Sequence, residues 1–91
     1  MKKTNNHIVK RRGKKEVYDH KKIYASVYAA ALSAHYTEMR AETLARFVMK
    51  KVDNWALKKK EINSQEIKQK VFETIPDIDV KVMYKHHLDL C

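Results

Sequence analysis

The 91-residue sequence is poor in glycine, proline and cysteine, with one residue of each. One glycine cannot form the Gly-rich loops that cradle phosphates, so the chain carries neither a P-loop nor a dinucleotide-binding fingerprint. One cysteine, Cys91, excludes a disulfide framework and a four-cysteine zinc site within the chain. No apolar run approaches the roughly 20 residues of a membrane span, and the first residues lack the apolar segment of a signal peptide. We therefore expect a cytoplasmic protein without a membrane partner.

Catalytic constellations are also missing from the sequence. No serine or cysteine nucleophile accompanies a plausible histidine and acid, and no recognisable motif pairs two carboxylates. His87 and Cys91 stand four residues apart, but the adjacent His86 and His87 point to different sides of a helix, so no metal site is predicted. We therefore predict a binding protein rather than an enzyme.

Positive charge is abundant and unevenly placed. The net charge is +9, with 34% charged and 44% hydrophobic residues, a composition typical of a soluble globular protein. Residues 1–22 hold nine Lys or Arg and two acids, a net of +7, which leaves +2 for the remainder. A polyanionic partner is therefore expected at the basic end. The length suits one small domain, which we place at residues 7–91 after a flexible polar segment, residues 1–6.

A β-hairpin is predicted near the N-terminus. Ile8-Val9 and Val17-Tyr18 are β-branched or aromatic, and they flank a polar turn that contains Gly13. Glycine suits a turn position with a positive φ. Because a lone two-stranded hairpin is marginal in water, we expect it to lie on helices, with a pocket beneath it.

Two helices are predicted after the hairpin. Asp19 is a suitable N-cap for a helix that runs to about Tyr36, and Thr37 begins a second helix that extends to about Lys59. Both helices have an apolar stripe, and the many alanines of the first stripe favour close packing against another helix. The stripes are Ile23, Val27, Ala30, Ala31 and Ala34 in the first helix, and Leu44, Val48, Val52 and Trp55, with Phe47 beside them, in the second.

Two further helices are predicted in the last third of the chain. Asn63 and Glu66 have the spacing of a capping box at the start of a third helix, and Pro76 ends that helix. Asp77 or Asp79 then caps a fourth helix. The predicted fold is mainly α, in the α+β class, with an N-terminal β-hairpin as a roof over a four-helix bundle.

The hairpin residues resemble the opening signature of a known family. The run is Ile8-Val9-Lys10-Arg11-x-Gly13-x-x-Glu16-x-Tyr18-Asp19-x-x-Lys22-Ile23. It is similar to the start of the ATP-cone, the small regulatory nucleotide-binding domain at the N-terminus of many ribonucleotide reductases. The same domain occurs in the bacterial repressor of ribonucleotide reductase genes. The resemblance extends to about Leu88 and implies the hairpin-over-bundle fold of that family.

The resemblance also implies a nucleotide site for ATP or dATP with Mg²⁺. The residues that match the family's positions are Ile8, Lys10, Arg11, Glu16, Asp19, Lys22, Ile23, Ser64, Ile67 and Lys68. Their four cations can offset the charge of a triphosphate through charge-assisted hydrogen bonds. The three isoleucines can sandwich adenine, the serine can make a polar contact at a helix N-terminus, and one of the two acids can accept from the adenine amino group or the ribose.

Each of these residues also has an ordinary structural interpretation. The isoleucines would be core residues in any helical bundle. The cations would form a solvated basic face or a nucleic-acid patch. Glu16 would be an exposed cross-strand partner of a lysine. The shared spacing of all ten residues is what favours the nucleotide interpretation.

The expected function is a regulatory module that senses adenine nucleotide and changes its self-association or its binding to a reductase subunit or regulator. Two alternatives stay open. A small basic nucleic-acid-binding protein would use the hairpin lysines, although Glu16 and Asp19 lie among them. A degenerate cone would act only in oligomerisation or interaction, and the fourth helix favours it, because His87-Leu88 replaces the Tyr-Arg pair usual in the family.

Overall fold

The computed structural model describes residues 8–11, 14–59 and 61–90, and for residues 8–11, 14–17 and 88–90 it describes the course of the backbone alone. The elements in chain order are β1 (Ile8–Arg11), β2 (Lys14–Val17), α1 (His20–Ser33), α2 (Glu38–Ala56), β3 (Glu61–Asn63), α3 (Ser64–Thr74) and α4 (Ile78–Leu90). The chain is mainly helical, and the four predicted helices are confirmed. The predicted flexible segment, residues 1–6, and the predicted turn at Gly13 lie outside the described residues.

Side-chain caps set the starts of the helices. The Asp19 carboxylate accepts a hydrogen bond of 3.0 Å from the Lys21 amide at the start of α1. At α3 both halves of the predicted capping box form, since Asn63 Oδ1 accepts from the Gln65 amide at 2.7 Å and Glu66 Oε1 accepts from the Asn63 amide at 2.9 Å. Asp77, rather than Asp79, caps α4 through a bond of 2.8 Å to the Asp79 amide.

Two helices end earlier than predicted. α1 stops at Ser33 instead of Tyr36, because the chain turns at Ala34 and at His35, which has φ 71°. α2 stops at Ala56 instead of Lys59. The apolar periodicity continues past the ends of both helices, and neither turn contains a glycine. The sequence therefore carries no signal for the two turns.

The core lies between the helices and is lined by small side chains. Five alanines of α1 and α2 are fully buried: Ala30, Ala31, Ala41, Ala45 and Ala56. The predicted stripe of α1 is buried, with Ala34 packed at its margin. The stripe of α2 is buried except for Trp55, which is half-buried, and Phe47 beside it is 45% exposed. The core also includes Val71 of α3, Ile75 directly after that helix, and Val80 and Tyr84 of α4.

The sheet contains a strand that the sequence did not reveal. Its strand order is β2-β1-β3, with β1 antiparallel to β2 and parallel to β3. Ile62, at the centre of β3, is 1% exposed and belongs to the core. A three-residue strand is too short to show an alternating pattern, so the sequence predicted a connection here. The placement of β1 and β2 as a roof over all four helices stays a prediction.

A hydrogen bond joins the α1–α2 loop to the loop between α3 and α4. The Tyr36 hydroxyl donates to Asp77 Oδ2 at 2.5 Å, and the guanidinium of Arg40 lies 4.7 Å from the centre of the Tyr36 ring. This donated bond, followed by the bond from the Asp79 amide, lowers the pKa of Asp77 below its ordinary value. The contact therefore fixes the α1–α2 loop against the start of α4.

Replacing Ile62 by alanine tests whether β3 belongs to the core. We expect Ile62→Ala to lower the free energy of unfolding by about 2–5 kcal/mol, because it leaves a cavity in a well-packed region. Ile78→Ala is the matched control, since Ile78 is 68% exposed and its change should stay within about 0.5 kcal/mol. Urea denaturation followed by circular dichroism measures both. Equal losses in the two variants would contradict this placement of β3.

The loop contact predicts a pH dependence. Because the folded pKa of Asp77 is lowered, its stabilising contribution is present above the ordinary value of 3.8 and is lost as the pH falls through the folded pKa. Tyr36→Phe removes the hydroxyl whose hydrogen bond is the largest cause of the lowered pKa of Asp77. The variant should therefore lose less stability than the wild type between about pH 6 and about pH 3. Thermal unfolding across this range tests it, and identical slopes would contradict it.

Candidate functional site

The first group of predicted site residues lies where β1 meets the start of α3. β1 carries Lys10 and Arg11, and its parallel register places Lys10 opposite Asn63. Asn63 immediately precedes Ser64, the first residue of α3. Strands that run parallel end at the same edge of a sheet, so the carboxyl end of β1 lies beside the first turn of α3. The fold therefore brings the basic end of β1 to Ser64 and, one turn on, to Ile67 and Lys68.

The second group lies at the opposite end of the same strand. The antiparallel register pairs Ile8 with Val17 and Val9 with Glu16. The chain then continues through Tyr18 and Asp19 into α1. Lys22 and Ile23 follow in the first turn of that helix. The structure thus places the ten predicted residues in two groups, one at each end of β1, and two helices begin there.

The described side chains of these groups differ in exposure. Ile23 is 5% exposed and lies in the core, as its ordinary structural interpretation requires. Ser64, Ile67 and Lys68 are half-buried, and Lys22 is exposed. The first two turns of α3 are therefore partly accessible to solvent, whereas Ile23 is not.

A carboxylate already occupies the N-terminus of α3. The amide of Asn63 donates to Glu66, and this bond is the main reason that the pKa of Glu66 lies below its ordinary value. The Lys59 ammonium lies 3.5 Å from Glu66 Oε2 and partly offsets its charge. Because the negative charge of Glu66 repels phosphate, the end of this helix is a weaker anion site than an uncapped N-terminus.

A half-buried tryptophan joins α2 to α3 beside that carboxylate. The ring centre of Trp55 lies 5.0 Å from the ammonium of Lys59 and 5.9 Å from that of Lys70. Cations at these distances are attracted to the face of an indole ring. Lys59 therefore bridges the tryptophan and Glu66.

A hydrogen-bonded network that the sequence analysis missed holds the start of α1. The Tyr18 hydroxyl donates to Asp53 Oδ1 at 2.6 Å, and His20 Nδ1 lies 3.0 Å from Asp53 Oδ2. Burial of Tyr18, followed by its bond to Asp53, raises the pKa of the phenol far above its ordinary value. The network ties the end of β2 and the first turn of α1 to α2. It therefore fixes Asp19 and Lys22 relative to the bundle.

One sequence signal could have pointed to Asp53. It is the only acid between Glu42 and Glu61, within a stretch rich in lysine. A single carboxylate in a half-buried helix position usually has a specific partner. Its partners Tyr18 and His20 lie more than 30 positions away, so no local spacing identifies them.

Two searches of the described part of the chain gave negative findings. Residues 8–11, 14–59 and 61–90 contain no group of three or more His, Cys, Asp or Glu side chains placed to hold a metal ion. Within the same ranges, every helix is too short or too polar to cross a bilayer. Cys91, which the sequence analysis considered beside His87, lies outside these ranges.

Comparison with protein-family models matches residues 6–85 to the ATP cone domain. The match includes both groups of predicted site residues, helices α1 to α3 and the first part of α4. Comparison with curated proteins and with solved structures gives no match.

Removing the Asp53 carboxylate tests the network. We expect Asp53→Ala to lower the free energy of unfolding by about 1–3 kcal/mol, because it deletes the acceptor for Tyr18 and the partner of His20. Asn54→Ala is the control, since Asn54 is the exposed neighbour on the same helix. Urea denaturation compares the two variants. If Asp53→Ala and Asn54→Ala unfold at the same urea concentration, the network does not stabilise the fold.

Proposed function

Because the chain belongs to the ATP cone domain family, we propose that it binds ATP or dATP, together with Mg²⁺, and acts as a regulatory module rather than an enzyme. The family match over residues 6–85 carries this proposal. A second support is the parallel register of β1 and β3, which puts basic residues beside the accessible start of α3.

The triphosphate is assigned to the basic residues. Lys10, Arg11 and Lys68 belong to the group at α3, and Lys22 belongs to the group at α1. Ammonium and guanidinium groups form strong charge-assisted hydrogen bonds to phosphate oxygens. The carboxylate of Glu66 disfavours phosphate at the helix end itself, so the cations have to supply most of the attraction. Mg²⁺ bound with the nucleotide would offset part of the triphosphate charge.

The base is assigned to the apolar residues. Ile67 is half-buried in the second turn of α3 and offers an accessible apolar surface. Ile23 lies in the core, and Ile8 is on β1 at the α1 end. Glu16 or Asp19 would accept a hydrogen bond from the adenine amino group or the ribose, and Ser64 would add a polar contact. The nucleotide would therefore contact residues of both groups.

A ligand that touches both helix starts can act as a regulator. It changes the equilibrium between two arrangements of α1 and α3 if it binds one of them more tightly. The Tyr18–Asp53–His20 network would pass a shift at the start of α1 to α2. The regulated step would be self-association or binding to a partner linked to ribonucleotide reductase or to the transcriptional control of its genes.

Isothermal titration with ATP and with dATP, each with Mg²⁺, tests the proposal. We expect saturable binding on the order of micromolar affinity. Lys10→Ala should weaken it by about 10- to 100-fold, because it removes a charged hydrogen-bond donor. Lys50→Ala is the matched control, since Lys50 is exposed on α2 and is not one of the ten predicted residues, and it should bind like the wild type. The ratio of the two affinities reports whether the 2′-hydroxyl is recognised.

Other outcomes separate the alternatives. No heat and no thermal stabilisation at millimolar nucleotide would refute nucleotide sensing. Affinity for a single-stranded oligonucleotide that falls steeply with salt would then favour the basic nucleic-acid-binding protein. Self-association unchanged by the double substitution Lys10→Ala, Arg11→Ala would favour the degenerate cone.

A further inference from the structure

The second half of α2 and the turn after it form a basic segment that the nucleotide site does not use. Residues 46–60 contain six Lys or Arg and one acid, a net charge of +5, although the chain from residue 23 onward carries only +2. The single acid, Asp53, accepts from Tyr18 and lies beside His20. It is about 200° around the helix from Trp55. The side of α2 that carries Trp55 therefore receives basic residues and no acid from this segment.

Aromatic and basic side chains alternate along that side of the helix. Phe47, Lys51, Trp55 and Lys59 follow one another at intervals of four residues, which places them on one face. The Lys51 ammonium lies 5.6 Å from the centre of the Phe47 ring, and the Lys59 ammonium lies 5.0 Å from that of Trp55. Helix α3 adds Lys70, whose ammonium is 5.9 Å from the same indole. These five residues form the aromatic–lysine face.

Both rings of the aromatic–lysine face are accessible. Phe47 is 45% exposed, more than any other Phe, Tyr or Trp in the described part of the chain. Trp55 is half-buried beside α3. A single exposed ring is common on protein surfaces. Two rings on one helix face, each beside an ammonium group, instead match the surfaces that bind planar anionic groups.

Most cations of this face are available to a ligand. Among the residues that the structure describes, Lys51 and Lys70 have no carboxylate within ion-pair distance, and the same is true of Lys58, which is exposed just after α2. Lys59 is paired with Glu66, so the charge of this neighbouring carboxylate is partly offset. A lysine ammonium on its flexible four-carbon stem can leave a ring and bind a phosphate while the backbone stays in place.

The spacing of the two rings fits a strand of nucleotides. Phe47 and Trp55 are eight residues apart, which is about 12 Å along the helix axis. Stacked nucleotides of one strand rise by about 3.4 Å each, so this distance corresponds to roughly three or four nucleotides. Proteins that bind single strands stack bases on aromatic side chains and attract the backbone phosphates with cations. The aromatic–lysine face offers both kinds of group at two points.

We propose that the aromatic–lysine face binds single-stranded nucleic acid. A base takes the place of the ammonium group at the Phe47 or Trp55 ring, and the displaced lysine binds the neighbouring phosphate. These contacts use base faces and phosphates, which DNA and RNA share. A membrane surface fits less well, because it requires apolar side chains that project into the bilayer and Trp55 is half-buried. The proposal is independent of nucleotide sensing, since none of the ten predicted residues belongs to this face.

Trp55 is the only tryptophan in the chain, so its fluorescence reports contact at this face. A thymidylate strand of eight nucleotides, titrated into the full chain without ATP, should quench that fluorescence by stacking on the indole. We expect a dissociation constant on the order of 10 μM at about 50 mM salt. An eight-nucleotide uridylate strand should bind within about 3-fold of this value. A GC-rich duplex of the same length has its base faces covered and should bind at least about 10-fold more weakly.

Substitutions that keep the net charge separate this face from the basic hairpin. Phe47→Ala should weaken binding by roughly 5- to 20-fold and Trp55→Leu by roughly 5- to 100-fold, because each removes a stacking platform. Leu57→Ala is the matched control, since Leu57 is a 53% exposed apolar residue at the end of α2, and it should bind like the wild type. Fluorescence anisotropy of a labelled thymidylate strand measures all three variants. Circular dichroism verifies their folding, and Phe47→Ala changes an exposed side chain, so it tests the face even if Trp55→Leu unfolds.

A pair of lysine variants tests the phosphate contacts. Lys51→Gln and Lys85→Gln each remove one positive charge from an exposed position, but Lys85 lies on α4. Lys51→Gln should weaken binding of the thymidylate strand by roughly 3- to 10-fold, and Lys85→Gln by less than about 2-fold. Equal losses in the two variants would contradict a phosphate contact at the aromatic–lysine face.

Three further results would overturn the proposal. The first is a thymidylate strand that does not bind, or that binds without quenching Trp55. The second is binding by Phe47→Ala and by folded Trp55→Leu that equals binding by Leu57→Ala. The third is stronger quenching by phosphatidylserine vesicles or by a hexaglutamate peptide than by the strand at equal negative charge, which would assign the face to a membrane surface or to an acidic protein segment.

Discussion

The close approach of α1 and α2 is the contact on which the rest of the structure depends. Fully buried alanines on both helices, such as Ala30 and Ala45, allow the backbones to come near each other, and Val27 and Val48 of the same helices are also fully buried. Alanine loses no side-chain entropy on burial, and every atom removed from water contributes to the hydrophobic effect. This helix pair is the base against which α3, α4 and the sheet pack, and Asp53 of α2 also holds the end of β2.

Most of the helical fold follows from local signals in the sequence. Asp19, Asn63 and Glu66 have the side chains and the spacing that cap the start of a helix. In the structure each of them forms such a cap. The third strand could not be found in the same way. Ile8 and its neighbour Glu61 are 53 positions apart, and three residues carry no periodicity of their own. Long-range pairing of short segments leaves almost no trace in a single sequence.

In the candidate site, too, the sequence predicts the local features but not the long-range ones. Family spacing selects ten residues along the chain, but it says nothing about their arrangement in space. The sheet register separates them into a group at α3 and a group at α1. The local electrostatics also differ from what spacing suggests, because the capping residue Glu66 places a negative charge where a helix usually attracts phosphate. The network of Tyr18, Asp53 and His20 joins residues too distant for any motif to include.

The central position of β1 makes the two ends of the described chain depend on each other during folding. The strand pairs with β2, which is close in sequence, and with β3, which is synthesised about 50 residues later. A nascent chain can form the α1–α2 pair early, because its contacts are local. Strand β1 then keeps one unpaired edge until Asn63 has emerged from the ribosome. In that interval the edge can pair with strands of other chains, so a slow release of the C-terminal third exposes the protein to aggregation.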